Sequence, residues 1–331
     1  MARKVVFIGT GGTIASIGKG PLDLIDYGAN NTMVHAEDIV TAIPSVREVA
    51  DLVVVKFRDI PSTAISFPEW KQLAALCHRL VGEIPDLGGI VIGHGTASLE
   101  ETAYFLNLTL KVGVPVVIVG SQRPLSGLAS DAAMNLVAAV RAAASPASAG
   151  RGVLVVLNDE IQAAREVTKT STFRLQTFRT PDFGVLGSVD GEHVRYYRRT
   201  ERRNAPDTEF DIAPLDSLPR VDISYSYAGA DGTAIRAFTS VGAKGIVLAA
   251  FAPGMVTPGE QEAIKAAVEA GVTVVVSTRA GSGVALDSAR LRPMGVLSAD
   301  NLNPHKARLL LALGLTVTRE PDEIRRIFAT Y

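Results

Sequence analysis

Residues 5–17, reading VVFIGTGGTIASI, constrain this chain more than any other stretch. The apolar run at 5–8 has the form of a strand buried on both faces of a sheet. It stops at Gly9-Thr10-Gly11-Gly12-Thr13. Glycines packed this densely permit a sharp turn and the close approach of another backbone. In an open α/β sheet such a turn lies at the carboxyl end of the strand, where ligands bind. Two nucleotide-binding readings fail. The G-x-G-x-x-G fingerprint counted from Gly9 needs a glycine where Ile14 stands, and no Gly-Lys in the chain is followed by Ser or Thr. What remains is a threonine hydroxyl, from Thr10 or Thr13, on a glycine turn: a suitable setting for a nucleophile. An ordinary strand-to-loop turn is the competing reading.

Further apolar runs at residues 52–57, 90–92, 114–119 and 153–157 alternate with helical stretches, as in a parallel sheet with helices on both faces. Ser66 with Glu69, and Ser98 with Glu101, have capping-box spacing, and Pro68 sits in the first turn of its helix. An alanine-rich helix follows Ser130-Asp131 and is broken after Ala144. Residues 185–188 and 193–197 flank Asp190-Gly191, a hairpin signal. Residues 198–219 are polar and carry Pro206, Pro214 and Pro219, which marks a linker. Arg195, Arg198, Arg199, Arg202 and Arg203 read as its solvated edge, with an acidic partner as the alternative. Strand-like runs then recur at 221–225, 245–249 and 272–277, and Thr257-Pro258-Gly259-Glu260 has the form of a helix start. At 331 residues the chain exceeds what one core holds. The expected organisation is an α/β fold: a larger domain over 1–197, a linker over 198–219 and a smaller α/β domain over 220–331.

The balance of 33 basic against 34 acidic residues argues against a general nucleic-acid or membrane-surface role. The single cysteine, Cys77, excludes an internal disulfide and reads as a core residue. Neither an apolar leader nor a run of membrane-span length is evident, so a soluble, cytoplasmic protein is expected. Polar residues gather where strands end: Asp59-Ile60-Pro61-Ser62-Thr63, residues 93–98, residues 120–124, and Asn158-Asp159 through Thr170. In a parallel sheet these loops and the Thr10–Thr13 loop open on one edge. His94 has no second histidine at ligand spacing and reads as structural, so no metal site is expected. G-x-S-x-G is absent, which argues against a serine hydrolase of the nucleophile-elbow type. Lys169 lies between Thr168 and Thr170, and an amine made less basic by burial can take a proton from a hydroxyl. Threonines and a lysine without a histidine suit acyl transfer.

Thr10-Gly11-Gly12-Thr13-Ile14-Ala15, His94-Gly95-Thr96 with Glu100-Glu101-Thr102, and Val167-Thr168-Lys169-Thr170 resemble the bacterial L-asparaginase/glutaminase family. The resemblance continues through residues 120–124, 302–308 and Ile327-Phe328, and so covers essentially the whole chain. It implies a larger, flavodoxin-like N-terminal domain with a mainly parallel sheet, and a smaller C-terminal α/β domain. It also implies a homotetramer of two intimate dimers with sites between subunits, a small-molecule amide substrate and no cofactor. By position, Thr13 is the acylated nucleophile, Tyr27 assists it, and Thr96 with Lys169 forms a second pair. Ser62 falls where the family holds the substrate α-carboxylate. Gly12, Thr63, Gly95, Ala97 and Ser121 are the remaining substrate-site positions.

The chain departs from the family where the amino acid end is recognised. The motif His-Gly-Thr-Asp-Thr reads His94-Gly95-Thr96-Ala97-Ser98 here, so the aspartate expected to meet the α-amino group is Ala97. The glycine-asparagine stretch of the second domain reads Ala250-Phe251-Ala252-Pro253-Gly254-Met255, and Asp287 is the nearest candidate for an acid expected at 283–288. Hydrolysis of L-asparagine through Thr13 is the leading expectation. The alternatives are an amidase for an amide without a free α-amino group and a non-catalytic relative that binds a small amide.

Overall fold

The computed structural model describes residues 3–30 and 32–331. The chain divides into two compact units, Met1–Glu209 and Phe210–Tyr331, with the division inside the polar 198–219 stretch.

In the first unit β1 (Lys4–Gly9), β2 (Asp51–Lys56), β3 (Leu87–Gly93), β4 (Val116–Val119) and β5 (Val153–Leu157) are parallel, in the order β2-β1-β3-β4-β5. Between β1 and β3 the direction of winding reverses, and that switch point is where such sheets open a ligand crevice. The helices are α1 (Ala36–Ala42), α2 (Val46–Val49), α3 (Phe67–Glu83), α4 (Leu99–Thr109) and α5 (Ala132–Ala144). Val5, Phe7, Val91, Val117, Leu154 and Val156 share one core with residues of α1, α2 and α5. Their neighbours Val6, Ile8, Ile90 and Ile92 point the other way and are also fully buried, on the face covered by α4. Burial on both faces is why these runs are uniformly apolar, each side chain contributing about 1.5–3 kcal/mol. Trp70 of α3 stacks on Phe105 of α4 with ring centroids 4.7 Å apart. Cys77 is a fully buried core residue of α3, as expected.

Beyond β5 the chain differs from the sequence reading in instructive ways. Asn158 and Asp159, both at positive φ, make a tight turn into β6 (Glu160–Ala163), which runs antiparallel to β5. The polar stretch 158–170 is therefore no single loop. It leaves the carboxyl edge along β6 and returns to end in β7 (Thr168–Lys169), paired with β8 (Phe178–Arg179). Strands β9 (Gly187–Asp190) and β10 (His193–Tyr196) extend the large sheet through β6. Their two-residue loop is Gly191-Glu192, because Asp190 pairs with His193; the turn lies one residue later than the Asp-Gly signal suggests. Arg198 is also not simply solvated. It pairs with Glu166 at 2.5 Å and donates to the Val185 carbonyl at 3.1 Å.

The second unit is a four-stranded parallel sheet of β11 (Val221–Tyr225), β12 (Gly245–Ala250), β13 (Thr273–Thr278) and β14 (Leu297–Ser298). Its helices are α6 (Thr233–Ser240), α7 (Pro258–Glu269), α8 (Pro304–Val317) and α9 (Pro321–Thr330). Thr257 caps α7 as expected: the Glu260 N–H donates to its Oγ1 at 3.1 Å and the Thr257 N–H to Glu260 Oε2 at 2.9 Å. No helix among the described residues is long and apolar enough to cross a membrane.

Candidate active site

The site is built on a contact between two glycines. Gly12, after β1, has φ +86°, and a Cβ there would lie 2.2 Å from the Cα of Gly95, after β3. A Cβ on Gly95 would lie 2.7 Å from Ser62 Oγ. Three chain segments thus meet at van der Waals range with no room for side chains. Thr10 seals the strand ends beneath them: its N–H and its hydroxyl both donate to the Gly93 carbonyl, at 3.0 and 2.9 Å. Thr10 is 1% exposed, and its hydroxyl is committed to the backbone. Of the two threonines left open by the residue pattern, Thr13 is the one whose side chain faces a cavity.

Thr13 lies in a short 3₁₀ turn, Thr13–Ala15, and its Oγ1 is 3.0 Å from the hydroxyl of Tyr27. Tyr27 comes from the turn Asp26–Asn30. The loop carrying it is tied at its neck by the Ile17 N–H to the Thr32 carbonyl and the Val34 N–H to the Ala15 carbonyl, at 3.0 and 2.8 Å. Across the cavity Lys169 Nζ donates to Thr96 Oγ1 at 2.9 Å. Burial pushes the Lys169 amine below the usual lysine range, and the charge of Glu100 pulls it partly back. The cavity encloses about 330 Å³, at the lower end of the ~300–1,000 Å³ of small-molecule sites.

Gly12, Thr13, Tyr27, Ser62, Thr63, Gly95, Thr96, Ala97 and Lys169 all line this one cavity. Ser121 does not: it is fully buried and its hydroxyl donates to the Arg123 carbonyl at 2.6 Å. Ser16, Gly28, Thr32, Met33 and Pro61 complete the lining. None of them was singled out as a site residue: Ser16, Gly28, Thr32 and Met33 owe their places to the Gly12 turn or to the fold of the Tyr27 loop, and Pro61 precedes Ser62 in the loop after β2. Lys169 is the one charged residue among those lining the cavity. A wider groove of about 800 Å³ lies elsewhere in the unit, lined by residues including Glu48, Met134, Arg141 and His193. Its lining includes no lysine, whereas the smaller cavity brings Thr13 and Thr96 together with the half-buried Lys169.

His94 is fully buried, and burial lowers its pKa to about 4. The Gly95 carbonyl, 2.8 Å from Nδ1, only accepts, so Nδ1 carries the proton. Nε2 then accepts from Thr102 Oγ1 at 2.9 Å, and that hydroxyl accepts the Trp70 indole N–H at 2.8 Å. His94 is a neutral brace between α3, α4 and Gly95. Ser98, expected to cap α4, makes no side-chain cap bond; its hydroxyl donates to the Ser62 carbonyl at 2.6 Å. The cap was given up to join two walls of the cavity. Among the described residues no three His, Cys, Asp or Glu side chains are grouped to hold a metal ion.

The known proteins this chain is similar to carry the same two-unit plan. The family model for the asparaginase N-terminal domain matches residues 4–202, and that for the glutaminase/asparaginase C-terminal domain matches residues 220–328. The chain belongs to the asparaginase family. L-asparaginase 2 of Bacillus subtilis is 39% identical over 99% of this chain and 86% of its own length. L-asparaginase 2 of Escherichia coli is 37% identical over 99% and 93%. The crystal structure of a probable cytoplasmic L-asparaginase from Campylobacter jejuni superimposes with a TM-score of 0.94 at 36% identity, covering 99% of this chain and all of that one. Like the rest of its family, the present asparaginase-family chain is an amidohydrolase acting on amide C–N bonds. The glycine contact yields a direct test. Gly12→Ala drives a methyl group into Gly95, and kcat/KM is expected to fall by ~100-fold in a protein that retains its secondary structure. Wild-type activity in that variant contradicts the contact.

Proposed function

We propose that this asparaginase-family enzyme hydrolyses L-asparagine to L-aspartate and ammonia, with Thr13 as nucleophile. The observation that carries the reading is the pairing of two hydroxyls in one small cavity: Thr13 with Tyr27 at 3.0 Å, and Thr96 with a half-buried lysine at 2.9 Å. Thr13 Oγ1 attacks the side-chain amide carbon, the C–N bond breaks, and the hydroxyl proton leaves on ammonia. Tyr27 orients the attacking oxygen. Water then adds to the ester. Its proton passes through Thr96 to the neutral Lys169 amine, and a proton returns to Thr13 as the C–O bond breaks. Amides at Thr96 and Ala97 serve the oxyanion, one such donor being worth about 3 kcal/mol. Ser62 receives the α-carboxylate, with Gly12, Thr63 and Gly95 as its neighbours, and Ser121 acts only by holding its own loop. Names of relatives support the substrate: the Bacillus and Escherichia proteins are L-asparaginases and the Pseudomonas fluorescens relative is a glutaminase-asparaginase. A cytoplasmic location follows the Campylobacter neighbour. The family resemblance supports a homotetramer of intimate dimers, and residues 198–219 serve as the linker.

Two measurements of ammonia release test this reading. Thr13→Ala is expected to lower kcat by at least ~10³-fold with an unchanged melting curve, and full turnover would remove Thr13 from its role. Ala97 presents a methyl group to the cavity where the resemblance calls for an aspartate. Ala97→Asp is expected to lower the KM for L-asparagine by roughly ten-fold or more, since a charge-assisted contact is worth ~1.5–3 kcal/mol. An unchanged or raised KM would show that the ammonium group is not bound beside residue 97.

A further inference from the structure

Glu100 stands four residues beyond Thr96, in the first turn of α4, and is 6% exposed. A buried carboxylate is held only where hydrogen bonds satisfy it. Two of those bonds come from the segment that carries the lysine: Glu100 Oε1 accepts the Lys169 backbone N–H at 3.0 Å and the Thr168 hydroxyl at 3.3 Å. The other end of Lys169 is held by Thr96. One short stretch, the Thr96 loop and the start of α4, therefore grips Lys169 by both its backbone and its amine. The strand to which Lys169 belongs supplies little of this. β7 is two residues long, and its partner β8 places Phe178 opposite Lys169. The ground under Glu100 is firmer, because Thr102 in the same helix is fixed by the Trp70–Thr102–His94 chain.

We infer that Glu100 is the positioning residue of the Lys169–Thr96 pair, setting the reach of the lysine by holding its backbone to the first turn of α4. This rests on the reading of Lys169 as the base of the hydrolytic step. Glu100 also has an electrostatic part. A base must be neutral to accept a proton, and burial favours the neutral amine, while the Glu100 charge favours the ammonium. The other groups near the amine are hydroxyls: Thr96 in contact with it, and the Thr13–Tyr27 pair lining the same cavity. Glu100 is thus the anion that acts on it, and removing the charge without the hydrogen bonds separates the two effects.

The test is ammonia release from L-asparagine against pH for the wild type, Glu100→Gln, Glu100→Ala and Lys169→Met. Glutamine keeps an oxygen that accepts both bonds and loses the charge. Its kcat on the alkaline plateau is expected to stay within a few-fold of wild type, and the acid limb of its profile to move to lower pH, because Lys169 then loses its proton more readily. Glu100→Ala loses the bonds too, and its kcat is expected to fall ~10–100-fold at every pH with KM changed by about two-fold at most. An unmoved acid limb in Glu100→Gln together with wild-type kcat in Glu100→Ala overturns the inference while Lys169→Met is inactive. Wild-type turnover by Lys169→Met overturns the base assignment and the inference with it. If Glu100→Ala does not fold, the acid limb of Glu100→Gln decides alone.

Discussion

Backbone against backbone, with no side chain between, is the condition that everything else here requires. Gly12 and Gly95 touch at a distance that a single methyl group would abolish. The contact joins the ends of β1 and β3, the two strands flanking the switch point of the sheet. Thr13 is one residue beyond the first glycine and Thr96 one residue beyond the second, so the glycines fix how far apart the two hydroxyls stand. Thr10 beneath them and Ser62 beside them fasten the same junction. The rest of the first unit, two helical layers on a sheet buried on both faces, makes that junction rigid.

Electrostatics then separates the two basic side chains of the region. His94 is one residue from Gly95, yet burial drives its pKa to about 4 and its nitrogens are spent on Gly95 and Thr102. Lys169 is only half-buried, and its amine reaches the cavity with one hydroxyl partner. Burial without full satisfaction is what lowers an amine toward useful basicity, and Glu100 limits how far it falls. The histidine beside Gly95 is therefore part of the scaffold, and the lysine seventy-three residues from Thr96 in sequence is the basic side chain that reaches the cavity.

The fold was legible because burial on both faces writes itself into uniformly apolar strands, and because glycines are required where backbones touch. Thr13 and Thr96 were legible because each sits in a short polar motif at such a strand end, and Lys169 because threonines flank it, although the chain reaches it along β6 and places it in β7. Features set by three-dimensional direction were not. Ser98 has capping-box spacing with Glu101 and uses its hydroxyl on Ser62 instead. Ser121 sits among polar neighbours and turns its hydroxyl back to Arg123. Glu100 reads as an ordinary acid in a first helical turn, and its bonds to Thr168 and Lys169 exist only because β6 carries the chain away and lets it return. Sequence spacing reports periodicity and propensity; it does not report which of two competing acceptors a hydroxyl will choose.

Two features of the cavity stand apart: it holds the Thr13–Tyr27 and Thr96–Lys169 pairs, and Ala97 leaves its wall without a carboxylate. The central claim is that the first pair forms a covalent intermediate and the second resolves it. Lys169→Met mixed with L-asparagine, acid-quenched within the first turnover and digested for mass spectrometry, tests this most directly. The account predicts an aspartyl ester on Thr13 that accumulates as ammonia is released. Ammonia release with no ester on Thr13, or with the ester on Thr10 or Thr96, would contradict it.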